Sequence, residues 1–276
     1  MTDILEAATH IDVAPIDETD PVAEATLPPQ FYELTEPLTV ERHGTWRLLP
    51  GDLAFARDAN SIMLATSEFA AASRSYPILF AGNDGLPIAL LGLERSNDFV
   101  ASGRWAADTY IPAYIRRHPF IFFATEEPDR FVLGIDVTSP RIVRGGDRGV
   151  ALFDGDTASA ATTQALHFCE AFRRDCAVTR RFADALLERD LLVDRRATVT
   201  LPGGGAFDID GFKLVDRDRF DALDDATILD WHRTGWLAAI QFHFASLDRF
   251  QALLDRRAGA AAAPSAHSDS PSQGTS

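Results

Sequence analysis

Cysteine, lysine and long apolar runs are all scarce in this chain of 276 residues. The two cysteines, Cys169 and Cys176, lie in a segment of helical period that sets them about two turns, roughly 10 Å, apart on one face. No disulfide can join them while that helix is intact. No apolar run approaches the roughly 20 residues that a membrane helix needs, so a bilayer span is excluded. The opening stretch "MTDILEAATHIDVAPIDETD" is acidic where a signal peptide is positive and has no apolar centre, which makes the cytoplasm the expected compartment. Basic residues are outnumbered 26 to 41, leaving a formal charge of −15, whereas nucleic-acid binders carry a basic excess; nucleic acid is not an expected partner. Lys213 is the one lysine and every other basic residue is arginine. Such a bias reads as genome composition and weakens any single arginine as the sign of a chosen contact.

Motifs are equally sparse. No glycine loop of the phosphate-cradling types occurs, and no serine sits in a G-x-S-x-G elbow, so no cofactor is expected and a hydrolase built from Asp230, His232, His243 and Ser246 lacks its nucleophile turn. His167, Cys169, Glu170 and Cys176 resemble a metal set, but without a second paired motif two helical cysteines read as small buried apolar residues. "GGGAFDIDG" fails as a calcium loop, because the first ligand position falls on Ala206 and the bidentate acid position on Arg217. It reads as a hairpin turn, and no metal is expected.

What is present describes a globular protein of class α+β. At this length the chain buries most of the surface it would expose unfolded and needs no staples. Residues 1–27 are acidic and lack an apolar period, and residues 258–276 are rich in alanine and serine; both read as disordered around one domain at 28–257. "TWRLLP", "PILFAG", "PIALLGLE", "FIFFATE" and "RFVLGIDV" are strand-like and bounded by turn residues, with Asn83-Asp84-Gly85 as the turn of the clearest hairpin. "SIMLATSEFAAASRS" reads as a helix that stops before Tyr76-Pro77. Ser159 to Val193 reads as two helices, "DRDRFDALDDATILDWHRTG" as one or two more, "WLAAIQFHFAS" as strand or buried helix, and "SLDRFQALLDRR" as a helix capped by Ser246. The sum is a curled, mainly antiparallel sheet in a single domain, with helices concentrated in the C-terminal half.

The densest chemistry lies in "YIPAYIRRHPFIFF", Tyr110 to Phe123. Pro112 and Pro119 fix the backbone at either end of a short helical turn, on which Tyr110 and Tyr114 share a face with one of Arg116 and Arg117. The two arginines differ by about 100° in direction, so one is expected to be solvated and the other committed to a partly enclosed polar site. Ile111, Pro112, Phe120 and Phe122 are expected core. The candidate binding residues are Trp105, Tyr110, Tyr114, Arg116, Arg117, His118 and His243, suited to a carboxylate or an aromatic ligand.

"YPILFAGNDGLPIALLGLERSNDFV", "YIPAYIRRHPF", "FDIDGFKLVDRDRFDALDD" and "DWHRTGWLAAIQFHFASLDRFQALLDRR" together resemble the bacterial SapC-like family, the one linked to surface layers and distinct from the membrane-spanning peptide permease of the same name. The resemblance runs from about Leu27 to Arg257, with Asp98 standing where an apolar residue is expected. It implies no established reaction and no catalytic residues. Three functions follow as expectations. The first is a soluble accessory or binding protein of an envelope or peptide-modification system, with an unknown protein or small molecule as partner. The second is an enzyme acting on a small acidic or aromatic substrate through Tyr110, Arg116 and His118. The third is a secreted surface-layer component.

Overall fold

The computed structural model of the chain describes residues 11–15, 30–124, 131–200 and 206–262. Strand β1 (Ile11–Pro15) is followed by β2 (Thr35–Pro37), the helical turn α1 (Val40–His43), β3 (Trp46–Leu48), β4 (Ser61–Met63), the turn α2 (Phe69–Ala72), β5 (Ile78–Ala81) and β6 (Leu86–Leu90). The short strands β7 (Val100–Ala101) and β8 (Arg104–Trp105) lead into α3 (Ala113–Arg116). Next come β9 (Phe120–Ala124), β10 (Phe131–Asp136), β11 (Ile142–Arg144), β12 (Val150–Ala151), β13 (Phe153–Asp154) and β14 (Thr157–Ala158). The second half holds α4 (Ala160–Glu188), the hairpin β15 (Leu192–Thr200) and β16 (Ala206–Val215), then α5 (Arg217–Asp221), α6 (Asp225–Thr234), α7 (Trp236–Ser246) and α8 (Arg249–Ala262).

The fold is α+β, with the longer helices in the C-terminal half. Every strand pairing among the described residues is antiparallel. The strands form a six-stranded sheet in the order β1-β15-β16-β5-β6-β4, two three-stranded sheets, β2-β10-β9 and β11-β3-β12, and two small ribbons; none closes on itself. Gly82 and Gly85 take positive φ in the β5–β6 turn, as the Asn-Asp-Gly sequence predicts. The β15–β16 register slips between Arg195 and Ala197, and Gly211 at φ 74° lies in the opposed stretch of β16, where a side chain would be strained. The glycine turn joining these strands lies outside the described residues. Ile11–Pro15, inside the stretch whose composition reads as disordered, pairs with β15 from Ile11↔Val199 to Pro15↔Arg195.

Three local expectations are corrected. Ser159 to Val193 holds one helix of 29 residues, not two, opened by Ser159, whose hydroxyl accepts the Thr162 N–H. Ser61–Met63 is not helical: it pairs with β6 and buries Ile62, a case of sheet pairing overriding alanine-rich propensity nearby. Ser246 does not cap α8. It ends α7, donates to the His243 carbonyl at 2.6 Å and accepts the Ile78 N–H at 2.9 Å.

His243 makes α7 part of the main core. Its Nδ1 lies 2.7 Å from the Ile78 carbonyl, and the Val215 N–H donates to its Nε2 at 3.2 Å, so the ring is the neutral Nδ1–H form bridging β5 and β16. Close backbone approach matters most at Gly92, after β6, where a Cβ would meet the Ser96 carbonyl oxygen at 1.8 Å. Gly92→Ala is therefore expected to cost about 2–3 kcal/mol in a urea titration, the scale of a core overpacking; parent-like stability would show that the 92–96 loop yields.

Candidate functional site

Pro112, at φ −55°, starts the single turn α3 as the sequence predicts, and the first N–H of that turn, from Ala113, donates to Glu68 at 2.6 Å. Glu68 ends a 3₁₀ turn at Thr66–Glu68 and is buried. Its Oε1 also accepts the Tyr110 hydroxyl at 2.9 Å, and its Oε2 accepts the Ala65 N–H at 2.9 Å. Burial pushes the Glu68 pKa up, against these three donors and the nearby Arg116 charge.

The Tyr110 hydroxyl, having donated to Glu68, accepts from Arg116 Nη2 at 2.9 Å, while Arg116 Nε donates to the Ile111 carbonyl at 2.9 Å. The Arg116 guanidinium lies over the rings of Tyr110 and Phe168, 5.5 and 5.1 Å from their centroids. The Tyr110 backbone is held as well. Its N–H donates to Ser75, its carbonyl accepts the Tyr76 hydroxyl, and the Trp105 indole N–H donates to that same hydroxyl at 3.0 Å. Trp105 and Arg116 are thus hung on one residue, Tyr110.

Trp105 and Arg116 face an open cavity of about 500 Å3, whose wall also includes Arg104, Arg141, Leu53, Ile111 and Gly51. No carboxylate is among these lining residues. Arg141 Nη1 donates to the His118 carbonyl at 2.6 Å, and burial lowers its pKa while Asp52 opposes the shift. Three arginines lining one cavity without a lining acid among the described residues is unexpected in a chain with a charge of −15.

The structure brings together Trp105, Tyr110 and Arg116, and separates the remaining candidates from them. Arg117 turns the other way, with its guanidinium 4.2 Å from the Tyr114 ring centroid, 4.8 Å from Phe172 and 5.4 Å from Tyr32. Tyr114 is buried beneath it. The His118 ring is buried, stacked on Phe55 at 4.0 Å, with Nε2 3.9 Å from Asp136 Oδ2; only its carbonyl reaches toward the cavity, through Arg141. His243 belongs to the β5–α7 core, away from these groups. Phe120 and Pro112 are buried, but Ile111 is half-buried and lines the cavity, and Phe122 is half-buried. Glu68, Arg104 and Arg141 were not among the sequence candidates. A lone acid within "SIMLATSEFAAASRS" is the one available signal for Glu68, whereas the two arginines are indistinguishable from the rest of an arginine-rich chain. Burial pushes both thiols, Cys169 and Cys176, up to about 11. Among the described residues no three of His, Cys, Asp and Glu come together as a metal set.

The model of the SapC family matches residues 38–253, which include every residue lining the cavity. The chain belongs to the SapC family. No curated protein and no solved structure matches it. Asp98, the departure from the pattern expected of a SapC chain, has a side chain only 5% exposed and lies 3.8 Å from Arg257 of α8, which also bonds Glu94 at 2.5 Å. Burial pushes the Asp98 pKa up, the Arg257 charge opposes the shift, and Oδ2 has no hydrogen-bond partner among the described residues. No helix among the described residues is long and apolar enough to cross a membrane.

The buried histidines give a pH test. Burial lowers both His118 and His243 to about 4, so folding favours their neutral forms. Their contribution is complete above the unfolded value of about 6.5 and is lost as pH falls through the folded value; each is worth on the order of 3 kcal/mol. Glu68 has the opposite sign, since its raised pKa means its contribution declines as pH rises, and it offsets part of the loss. The urea midpoint is expected to fall between pH 6.5 and 4, with a flatter slope in His243→Gln; a midpoint constant over that window would contradict the burial of neutral imidazoles.

Proposed function

We propose that this SapC chain is a binding protein rather than an enzyme, and that it holds an anionic group of its partner against Arg104, Arg116 and Arg141. The observation that carries this reading is the convergence of three arginines on one cavity with no lining carboxylate in an acid-rich chain. A structural arginine in such surroundings ordinarily finds an acid, as Arg180 does with Asp84 and Arg257 with Glu94. Arg116 is also held in place before any ligand arrives, because Ile111 and Tyr110 take two of its hydrogens and leave the others free.

Turnover would need a proton donor or acceptor facing the cavity. The nearest candidates are committed elsewhere: Glu68 accepts three hydrogen bonds, and the His118 ring is packed on Phe55. Service to an envelope or peptide-modification system is the setting that family resemblance offers for such a binder.

Trp105 provides the readout. At constant ionic strength and pH 7, small organic acids should change its fluorescence saturably in the parent, and Arg116→Ala combined with Arg141→Ala should abolish the response. Absence of a saturable response to any anion in the parent would remove this reading.

A further inference from the structure

The side chains of the cavity wall are one-sided in their hydrogen bonding, and that restricts what can occupy it. Its charged side chains are three arginines, which carry donors and no acceptor. Trp105 adds no hydrogen bond, because its indole N–H is already given to Tyr76; with one face near Phe99, the ring offers the cavity carbon surface. Leu53 and Ile111 are aliphatic, and the Ile111 carbonyl is taken by Arg116 Nε. The nearest acid along the chain, Asp52, spends Oδ1 on the Ala54 N–H at 2.8 Å. Among the described lining residues no side chain can therefore accept a hydrogen bond, and the neighbouring Asp52 acts on Arg141.

We infer that the ligand is a small carboxylic acid with an apolar body and no amino group. This rests on the anion-binding reading above and deepens it. The carboxylate takes the donors that Arg116 has left, with Arg104 and Arg141 completing the charge; planar guanidinium matches planar carboxylate in two parallel bonds. The body lies on Trp105, Ile111 and Leu53. The volume, about 500 Å3, is that of a small-molecule site. A free amino acid of the same shape is disfavoured, because its ammonium would meet three arginines and, among the described lining residues, no carboxylate. Inorganic phosphate satisfies the arginines but leaves the apolar wall wet.

Isothermal titration of the full chain at constant ionic strength tests this with 3-phenylpropionate, L-phenylalanine, 3-phenylpropanol, acetate and inorganic phosphate. The expected order places 3-phenylpropionate at least about tenfold tighter than each of the others, a gap of about 1.4 kcal/mol. Phenylalanine binding equally well would overturn the exclusion of amines, and phosphate or acetate binding equally well would overturn the apolar body; either result leaves anion binding standing. Equal binding of 3-phenylpropanol, or no binding of any acid, would take the anion-binding reading down as well. Arg104→Gln supplies a variant that keeps the fold, since Arg104 is exposed and its side chain makes no hydrogen bond among the described residues. It should weaken 3-phenylpropionate several-fold while leaving 3-phenylpropanol unchanged, and equal affinity for the acid in parent and variant would contradict the assignment.

Discussion

A carboxylate taken out of water, that of Glu68, fixes the geometry on which the cavity depends. Its ionised form is costly to bury and is tolerated only where donors replace the lost water. Here the donors come from the turn it ends, at Ala65, and from a loop more than 40 positions away, at Tyr110 and Ala113. These donors oppose, without reversing, the burial that pushes its pKa up. Pro112 delimits the start of α3, the carboxylate anchors that start in space, and the anchored turn sets where Arg116 points.

The two arginines of α3 show what that orientation accomplishes. Adjacent residues on a helical turn diverge by about 100°. Arg116 leaves the turn toward the cavity and is steadied by Tyr110 and Ile111; Arg117 enters a box of Tyr114, Phe172 and Tyr32, where its guanidinium lies against three rings. One side of α3 thereby builds core and the other presents charge. The same division runs through Trp105, whose N–H serves the core while its carbon edge lines the cavity.

Much of this was readable from the residues. Prolines at 112 and 119 delimit a helical turn whatever surrounds them, and Asn83-Asp84-Gly85 makes a hairpin by local turn chemistry, so the class of fold and the divergence of the arginines follow from sequence. What escaped was whatever depends on distant partners. Ser61–Met63 became a strand because β6 offered it hydrogen bonds, and Ser246 turned to Ile78 rather than capping the next helix. Arg104 and Arg141 reach the cavity from separate strands and loops, which no local pattern records. His118 and His243 both stood among the candidate binding residues, yet both rings are walled into core by contacts made across the chain.

The most direct test of the link between the buried carboxylate and the cavity is the affinity of Tyr110→Phe for an organic acid at pH 7. The substitution keeps the ring beneath Arg116 and deletes only the hydroxyl that donates to Glu68 and accepts from Arg116. The expected result is a folded protein weakened by about 1–2 kcal/mol, with an affinity for the acid lowered about tenfold by the freed guanidinium. An affinity equal to the parent's in a variant so weakened would show that the arginines find their positions without Tyr110, and that Glu68 supports the fold alone.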